Sequence, residues 1–362
     1  MEVGRDLVQV RPEGLYCVPG DFYIDPWRPV ARAVITHAHA DHARRGHGAY
    51  LAHGASAALL RARLGADIAV QAVRYGEVVD CQGVRVSLHP AGHVLGSAQI
   101  RLEHRGKVWV VSGDYKVEGD ATCTPFEPVR CHTFITESTF GLPLYRWRRA
   151  ADVLADIRAW WCGNAEAGRA SVLYAYALGK AQRLLAGLAA LGDGPGPIVV
   201  HGAVDAVNRA YLEAGVTLPP TRRLDGGVEP AALRRALVLA PPAAQGSRWL
   251  RRLGAYADAM VSGWMQLRGV RRRRGVDAGF VLSDHADWPG LLAAIAASGA
   301  SDVRVTHGQV APLVRYLSEQ GLQAQALATR FDGEEGADAA DSDVDVSVAV
   351  DAPAPPVGGD GA

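Results

Sequence analysis

Thr36-His37-Ala38-His39-Ala40-Asp41-His42 follows directly on Arg32-Ala33-Val34-Ile35. The earlier run is apolar and β-branched, and it predicts a strand. Three imidazoles and a carboxylate then fall within six residues. In an extended segment His37 and His39 project to one side. If the chain next turns into a helix, Asp41 and His42 sit near its start and reach around a second point. That geometry suits two adjacent metal ions better than one. Imidazole and carboxylate are ligands that zinc accepts, and the lack of thiolates in the group suits a catalytic site with an open position. A His-rich polar loop at a strand end is the plainer reading, but it leaves the spacing unexplained.

Later segments repeat the arrangement of a strand ending in a polar ligand type. Val84 to Leu88 alternates as a strand and leads to His89-Pro90-Ala91-Gly92-His93, where His93 lies on a tight loop between Gly92 and Gly96. His89 reads as a bystander. Lys107 to Val111 ends in Ser112-Gly113-Asp114, and a carboxylate placed there could bridge two ions. Thr133 to Thr136 ends in Glu137. Gly279 to Leu282 reads as a strand ending in Ser283-Asp284-His285, and Asp302 to Thr306 as one ending in His307. Strand carboxyl ends are where α/β sites collect their chemistry. Upstream, Phe22-Tyr23-Ile24 ends in Asp25, a candidate for orienting the His loop.

The middle of the chain has a different texture. From about Leu144 it becomes rich in Arg and Ala, and residues 145–274 hold 20 Arg plus Lys against 9 Asp plus Glu. Strand and helix signals alternate there: Val172 to Tyr176, a helix from Lys180 to about Leu191, Ile198 to Val200, then Asn208 to Ala214 and Pro230 to Leu239. Gly179-Lys180 at a helix start reads as a phosphate cradle through free backbone N–H groups, or as an ordinary βα turn. Gly179, Lys180, Gln182, Ser262 and Gly263 are the expected substrate contacts. A helix from Ser56 to Leu64, with Ser56 as its cap, is also predicted.

Composition narrows the class. The chain has 362 residues, 49% of them hydrophobic, which is enough for two cores. Formal net charge is zero, yet Asp332 to Ala362 holds nine acids and no Lys or Arg. Removing that tail leaves 38 basic residues against 38 − 9 = 29 acidic ones, about +9 for the body. A basic surface of this size suits a phosphate-rich partner. The tail itself predicts disorder. Five scattered cysteines without a CxxC pair fit a reducing cytoplasm. The N-terminal residues lack a signal-peptide apolar core, and no apolar run predicts a membrane span.

With these residues in view, the sequence resembles the metallo-β-lactamase-fold nucleases that carry an inserted β-CASP domain. Within them it is most similar to the bacterial ligase-associated DNA exonucleases. The likeness is carried by Gly14-Leu15-Tyr16-Cys17, Gly20 to Trp27, the His loop, and Ala177-Leu178-Gly179-Lys180-Ala181-Gln182-Arg183. It implies an α/β, four-layer αββα metallo-β-lactamase domain built from residues 1–144 and 275–330. A β-CASP insertion occupies 145–274, and the tail 331–362 lies outside. The resemblance also implies one zinc held by His37, His39 and His93, another by Asp41, His42 and His307, and Asp114 bridging, with Mn²⁺ as the alternative metal. Asp41, Glu137 and His285 are then the catalytic groups. Single-stranded DNA is the implied substrate, beside an ATP-dependent DNA ligase and a helicase. RNA is the alternative, since a His at the place of His307 goes with RNA-cutting members. A small-molecule hydrolase of the same fold would share the His loop but would not need the basic insertion.

Overall fold

The computed structural model describes residues 6–224 and 227–331. The acidic segment from Asp332 lies outside the described residues, as does the disorder expected there. The chain is mixed α/β, with three sheets. The first runs in the order Val8–Arg11, Gly14–Cys17, Phe22–Ile24, Arg32–Val34, Ala49–His53, Val70–Val73. The second runs Gln323–Ala326, Asp302–Gly308, Thr133–Ser138, Lys107–Val111, Ala98–His104, Val84–Pro90, Val78–Cys81.

These two sheets face each other across one core. The two-residue alternation of a strand explains how. Val34 and Leu51 of the first sheet meet Val86, Leu88, Ile100, Leu102, Val111 and Ile135 of the second. Their neighbours Ala33, Tyr50 and Ala52 point the other way, onto Leu59 and Leu60 of helix Gly54–Leu64. On the far side of the second sheet, Val110, Phe134, Val303 and Val305 cluster with Ile295 of helix Trp288–Ser298 and with Leu313 and Leu317 of helix Val310–Glu319. Each fully buried Leu, Ile or Val of this kind is worth about 1.5–3 kcal/mol.

The third sheet belongs to the Arg-rich middle of the chain. Its order is Arg222–Arg223, Ile198–Val200, Leu237–Ala240, Ala170–Tyr174, Tyr256–Val261, Ala278–Phe280, and every pairing is parallel. Parallel sheets are covered on both faces. Leu173, Leu237, Leu239 and Val261 pack toward the helices Ala150–Glu166, Lys180–Ala189 and Gly202–Glu213, while Val172, Tyr174, Val238 and Met260 face a second cluster.

Three expectations change. Ala278–Phe280 hydrogen-bonds to Tyr256–Val261, so the third sheet reaches past the boundary at residue 274. An apolar run such as Gly279-Phe280-Val281-Leu282 has the same texture in either sheet, so sequence did not reveal its partner. The segment from Pro230 to Leu239 divides into one helical turn, Pro230–Leu233, and a central strand, Leu237–Ala240. Helix Gly54–Leu64 is capped by His53, whose side chain accepts from the Ala55 N–H, and Ser56 is buried inside it. Among the described residues, no helix is long and apolar enough to cross a membrane.

Candidate metal centre

The His loop leaves strand Arg32–Val34 and folds into a single turn, closed by Ala43 N–H donating to the His39 carbonyl at 2.8 Å. It does not continue as the helix foreseen at Asp41, because Gly46, at φ 103°, and Gly48 lead straight into strand Ala49–His53. Asp114 arrives from the end of Lys107–Val111. Gly113 allows the approach: it stands at φ +57°, and a Cβ there would sit 2.6 Å from the Thr36 Cβ.

His37, His39, His93 and Asp114 converge, and so do His42, Asp114 and His307, each group with ligand atoms within 4.8 Å of one another. Asp114 is common to both. Its Oδ2 lies 3.5 Å from His37 Nε2, 3.8 Å from His93 Nε2 and 3.4 Å from His42 Nε2. Its Oδ1 lies 3.1 Å from His307 Nε2. Asp41 is not among the converging ligands of either group; its Oδ2 lies 3.5 Å from His42 Nε2.

Fixed neighbours determine which nitrogen of each ring carries the proton. A carbonyl only accepts, so His93 Nδ1 donates to the Asp284 carbonyl at 2.8 Å and His39 Nε2 to that of Leu178 at 3.2 Å. Thr36 Oγ1 donates to Asp25 Oδ2 at 2.6 Å and therefore accepts from His37 Nδ1 at 3.0 Å. The other nitrogens of these three rings present lone pairs. His39 Nδ1 lies 3.1 Å from both His37 Nε2 and His93 Nε2. Three lone pairs at that spacing repel, and a shared cation turns the repulsion into coordination.

The second side shows the same need. His42 Nδ1 donates to Asp25 Oδ2 at 2.8 Å, which leaves the buried Nε2 without a hydrogen-bond partner, facing the carboxylates of Asp41 and Asp114. Thr306 Oγ1 donates to the Thr136 carbonyl at 3.2 Å and lies 3.0 Å from His307 Nδ1, while His307 Nε2 lies 3.1 Å from Asp114 Oδ1. The residues present fit metal binding.

Electrostatics agree with ligation. Burial, helped by neighbouring imidazoles, holds His37 well below the usual histidine range and lowers His39 to about 3 and His93 to about 4, so all three are neutral. Burial also opposes charge on His42, yet Asp114 and Asp41 outweigh it and hold that imidazole well above its usual range. The spot calls for positive charge, which a metal supplies in a proton's place. Burial pushes the Asp114 carboxyl up, but His42 and His285 overcome this and keep it well below the carboxylate range.

Beside the cluster, His285 Nδ1 sits 2.9 and 3.0 Å from the two Glu137 oxygens. Glu137 also accepts from the Tyr115 N–H at 2.8 Å and from Thr139 Oγ1. Trp147 Nε1 donates to the His285 carbonyl at 3.0 Å. Nothing in the sequence singled out Trp147, because its acceptor is a backbone atom far along the chain.

The proposed substrate contacts are placed differently. Gln182 is fully buried; its Oε1 accepts from the Gly179 N–H at 2.8 Å, and its Nε2 donates to the Ala177 carbonyl and to Asn208. The structure makes Gln182 a helix cap. Ala181 N–H is also used, by the Tyr176 carbonyl, so the cradle foreseen at Gly179-Lys180 loses two of its donors. Lys180 is buried too, with Nζ 3.5 Å from Asp284 Oδ2. Ser262 caps a short turn by accepting from the Trp264 N–H, and a Cβ on Gly263 would meet the Phe140 ring at 2.5 Å.

No family profile matches the chain. It is 34% identical over 320 residues to a protein named "Probable DNA ligase" of Opitutus terrae, covering 87% of this chain and 30% of that protein. It is 26% identical over 142 residues to the cleavage and polyadenylation specificity factor subunit 3 of Dictyostelium discoideum, covering 31% of this chain and 18% of that one. With endoribonuclease YSH1 of Saccharomyces cerevisiae it shares 31% over 120 residues, covering 32% and 15%. The chain thus spans under a third of the length of each of these relatives. The partial likenesses support the metallo-β-lactamase β-CASP family. A crystal structure of a protein of unknown function from Enterococcus faecalis aligns with TM-score 0.51 over 76% of this chain and 74% of that one, at 11% identity, a likeness of fold alone.

Proposed function

We propose that the chain is a metal-dependent nuclease of the four-layer metallo-β-lactamase fold with a β-CASP insertion, hydrolysing phosphodiester bonds of nucleic acid. One observation carries the reading: two sets of imidazole nitrogens converge on a single carboxylate, Asp114, beside a buried Glu137–His285 pair. Two zinc ions fit this ligand set, and when bound they would supply a nucleophilic water at neutral pH and offset charge on the phosphate. His37, His39 and His93 would hold one, Asp41, His42 and His307 the other, and Asp114 both. His285 would carry a proton to the leaving sugar oxygen, with Glu137 fixing its Nδ1–H and stabilising the imidazolium. Burial raises the Glu137 carboxyl, but His285 outweighs it and keeps Glu137 ionised for that task. Exposed arginines of the middle region, among them Arg146, Arg149, Arg222, Arg251 and Arg271, are available to follow a phosphate backbone.

DNA is the substrate we favour, as an exonuclease working beside an ATP-dependent DNA ligase. The support is the relative named as a DNA ligase, which contains a stretch like nearly all of this chain. RNA is the second reading, favoured by the likeness to proteins named endoribonuclease. End-labelled single-stranded DNA and RNA of one sequence, digested side by side with Zn²⁺ or Mn²⁺, separate the two. Stepwise loss of nucleotides from DNA supports the first reading; cleavage of RNA alone overturns it.

A further inference from the structure

Two of the three imidazoles on one side of the centre take their second hydrogen bond from outside the two facing sheets. His39 donates to the carbonyl of Leu178, in the loop that opens helix Lys180–Ala189 of the Arg-rich region. His93 donates to the carbonyl of Asp284, just past the last strand of that region's sheet. Asp284 is in turn gripped by that same helix. Lys180 Nζ lies 3.5 Å from its Oδ2, Arg183 Nη1 lies 3.3 Å from its Oδ1, and Arg183 also donates to the Ser283 carbonyl. Lys180, Arg183 and Asp284 are all buried, and Gly179 packs so tightly here that a Cβ would meet Val94 at 2.4 Å.

We infer that Lys180 and Arg183 are positioning residues: they lock Asp284 so that its carbonyl, with that of Leu178, fixes the His93 and His39 rings for metal binding. This rests on the nuclease reading and sharpens it. The Arg-rich region becomes part of one metal site. It also explains why two cations occur at a helix start that has few free backbone donors. Buried charges paired this way are costly to strand, and removing one partner leaves Asp284 with the other, so the local arrangement should loosen without general unfolding. Partners that orient a ligating imidazole are worth about 10–100-fold in metal affinity.

The test is titration of chelator-stripped full-length chain with Co²⁺, read by its visible absorption, alongside binding of single-stranded DNA by the metal-loaded protein. Lys180→Met should weaken one of two Co²⁺ sites by about 10–100-fold and change its spectrum. The melting temperature of the stripped protein and DNA affinity after saturation should stay close to those of the unaltered chain, and Lys180→Arg should restore the site. Asp284→Asn, which keeps the carbonyl but loses both ion pairs, should reproduce the defect if Lys180→Met fails to fold. Unchanged Co²⁺ binding with weakened DNA binding would make Lys180 a phosphate contact and overturn the inference. So would a loss of stability equal in all variants with no rescue by Arg. An unaltered chain that binds no Co²⁺ would overturn the metal reading itself, a result distinguishable from either.

Discussion

The two sides of the centre are built from different material. His37, His39 and His93 meet with two of their three rings anchored on backbone carbonyls of Leu178 and Asp284, which the Arg-rich region supplies or holds. His42 and His307 are anchored by side chains of the facing sheets: Asp25 holds His42, and Thr306 holds His307. Phe331 stacks on His42 with ring centroids 4.5 Å apart and 12° between planes, and it touches Trp27 and His307 edge-on. One side therefore depends on the Arg-rich region, and the other on the two facing sheets. Asp114 is the only ligand they share among the described residues.

The largest effect should come from that shared residue. Asp114→Ala removes a ligand from both sides at once, so metal content measured by elemental analysis should fall on both, and turnover should drop roughly 10³-fold or more, several kcal/mol of lost charge stabilisation. If one ion is retained at full affinity, Asp114 does not bridge.

His285→Ala should leave both sides loaded. Turnover should fall by roughly 10²–10⁴, the range for losing a general acid. The defect should shrink on a nitrophenyl phosphodiester, whose leaving group needs little protonation. An equal loss on both substrates with metals intact would rule out the acid role.

Thr306→Val removes the acceptor behind His307 at nearly constant volume. It should weaken only the side that Lys180→Met spares, by about 10-fold. Combining the two variants gives a cycle: additive losses mean independent sites, and a strong interaction energy means that the two sides are one unit.

The smallest change concerns the exposed face of the Arg-rich region. Replacing Arg271 to Arg274 with Gln should weaken nucleic-acid binding and flatten its salt dependence, by about 0.7 in slope for each lost contact to a single strand. Metal content should not move. A fall in metal content would show that these residues support the centre as Lys180 does.

The residues that converge on Asp114 were legible in the sequence because they follow apolar runs, and the His-x-His-x-Asp-His spacing is local. Asp25 was legible for the same reason, and it lies at φ 43°, a left-handed conformation that Asp tolerates better than most residues. What supports the rings was not legible. The carbonyls of Leu178 and Asp284 carry no signature, since every residue has one. Lys180 and Gln182 read as phosphate contacts because a cation and an amide at a helix start look alike whether they face solvent or the core. Burial decided the matter: helix Lys180–Ala189 packs on the third sheet and helix Ala150–Glu166, and Gly179 at its start presses on Val94. The strand Ala278–Phe280 shows the same limit: its apolar run predicts a strand but does not specify which sheet it joins.

Cutting of nucleic acid here is proposed to need two bound metal ions. It is tested most directly by stripping the full-length chain with chelator, adding back Zn²⁺ or Mn²⁺ in steps, and following bound metal and cleavage of end-labelled single-stranded DNA and RNA in the same samples. The stripped chain should cleave nothing, with activity returning only as the second equivalent per chain binds. Full activity in a chain shown to hold no metal, or full activity at one equivalent, would contradict it.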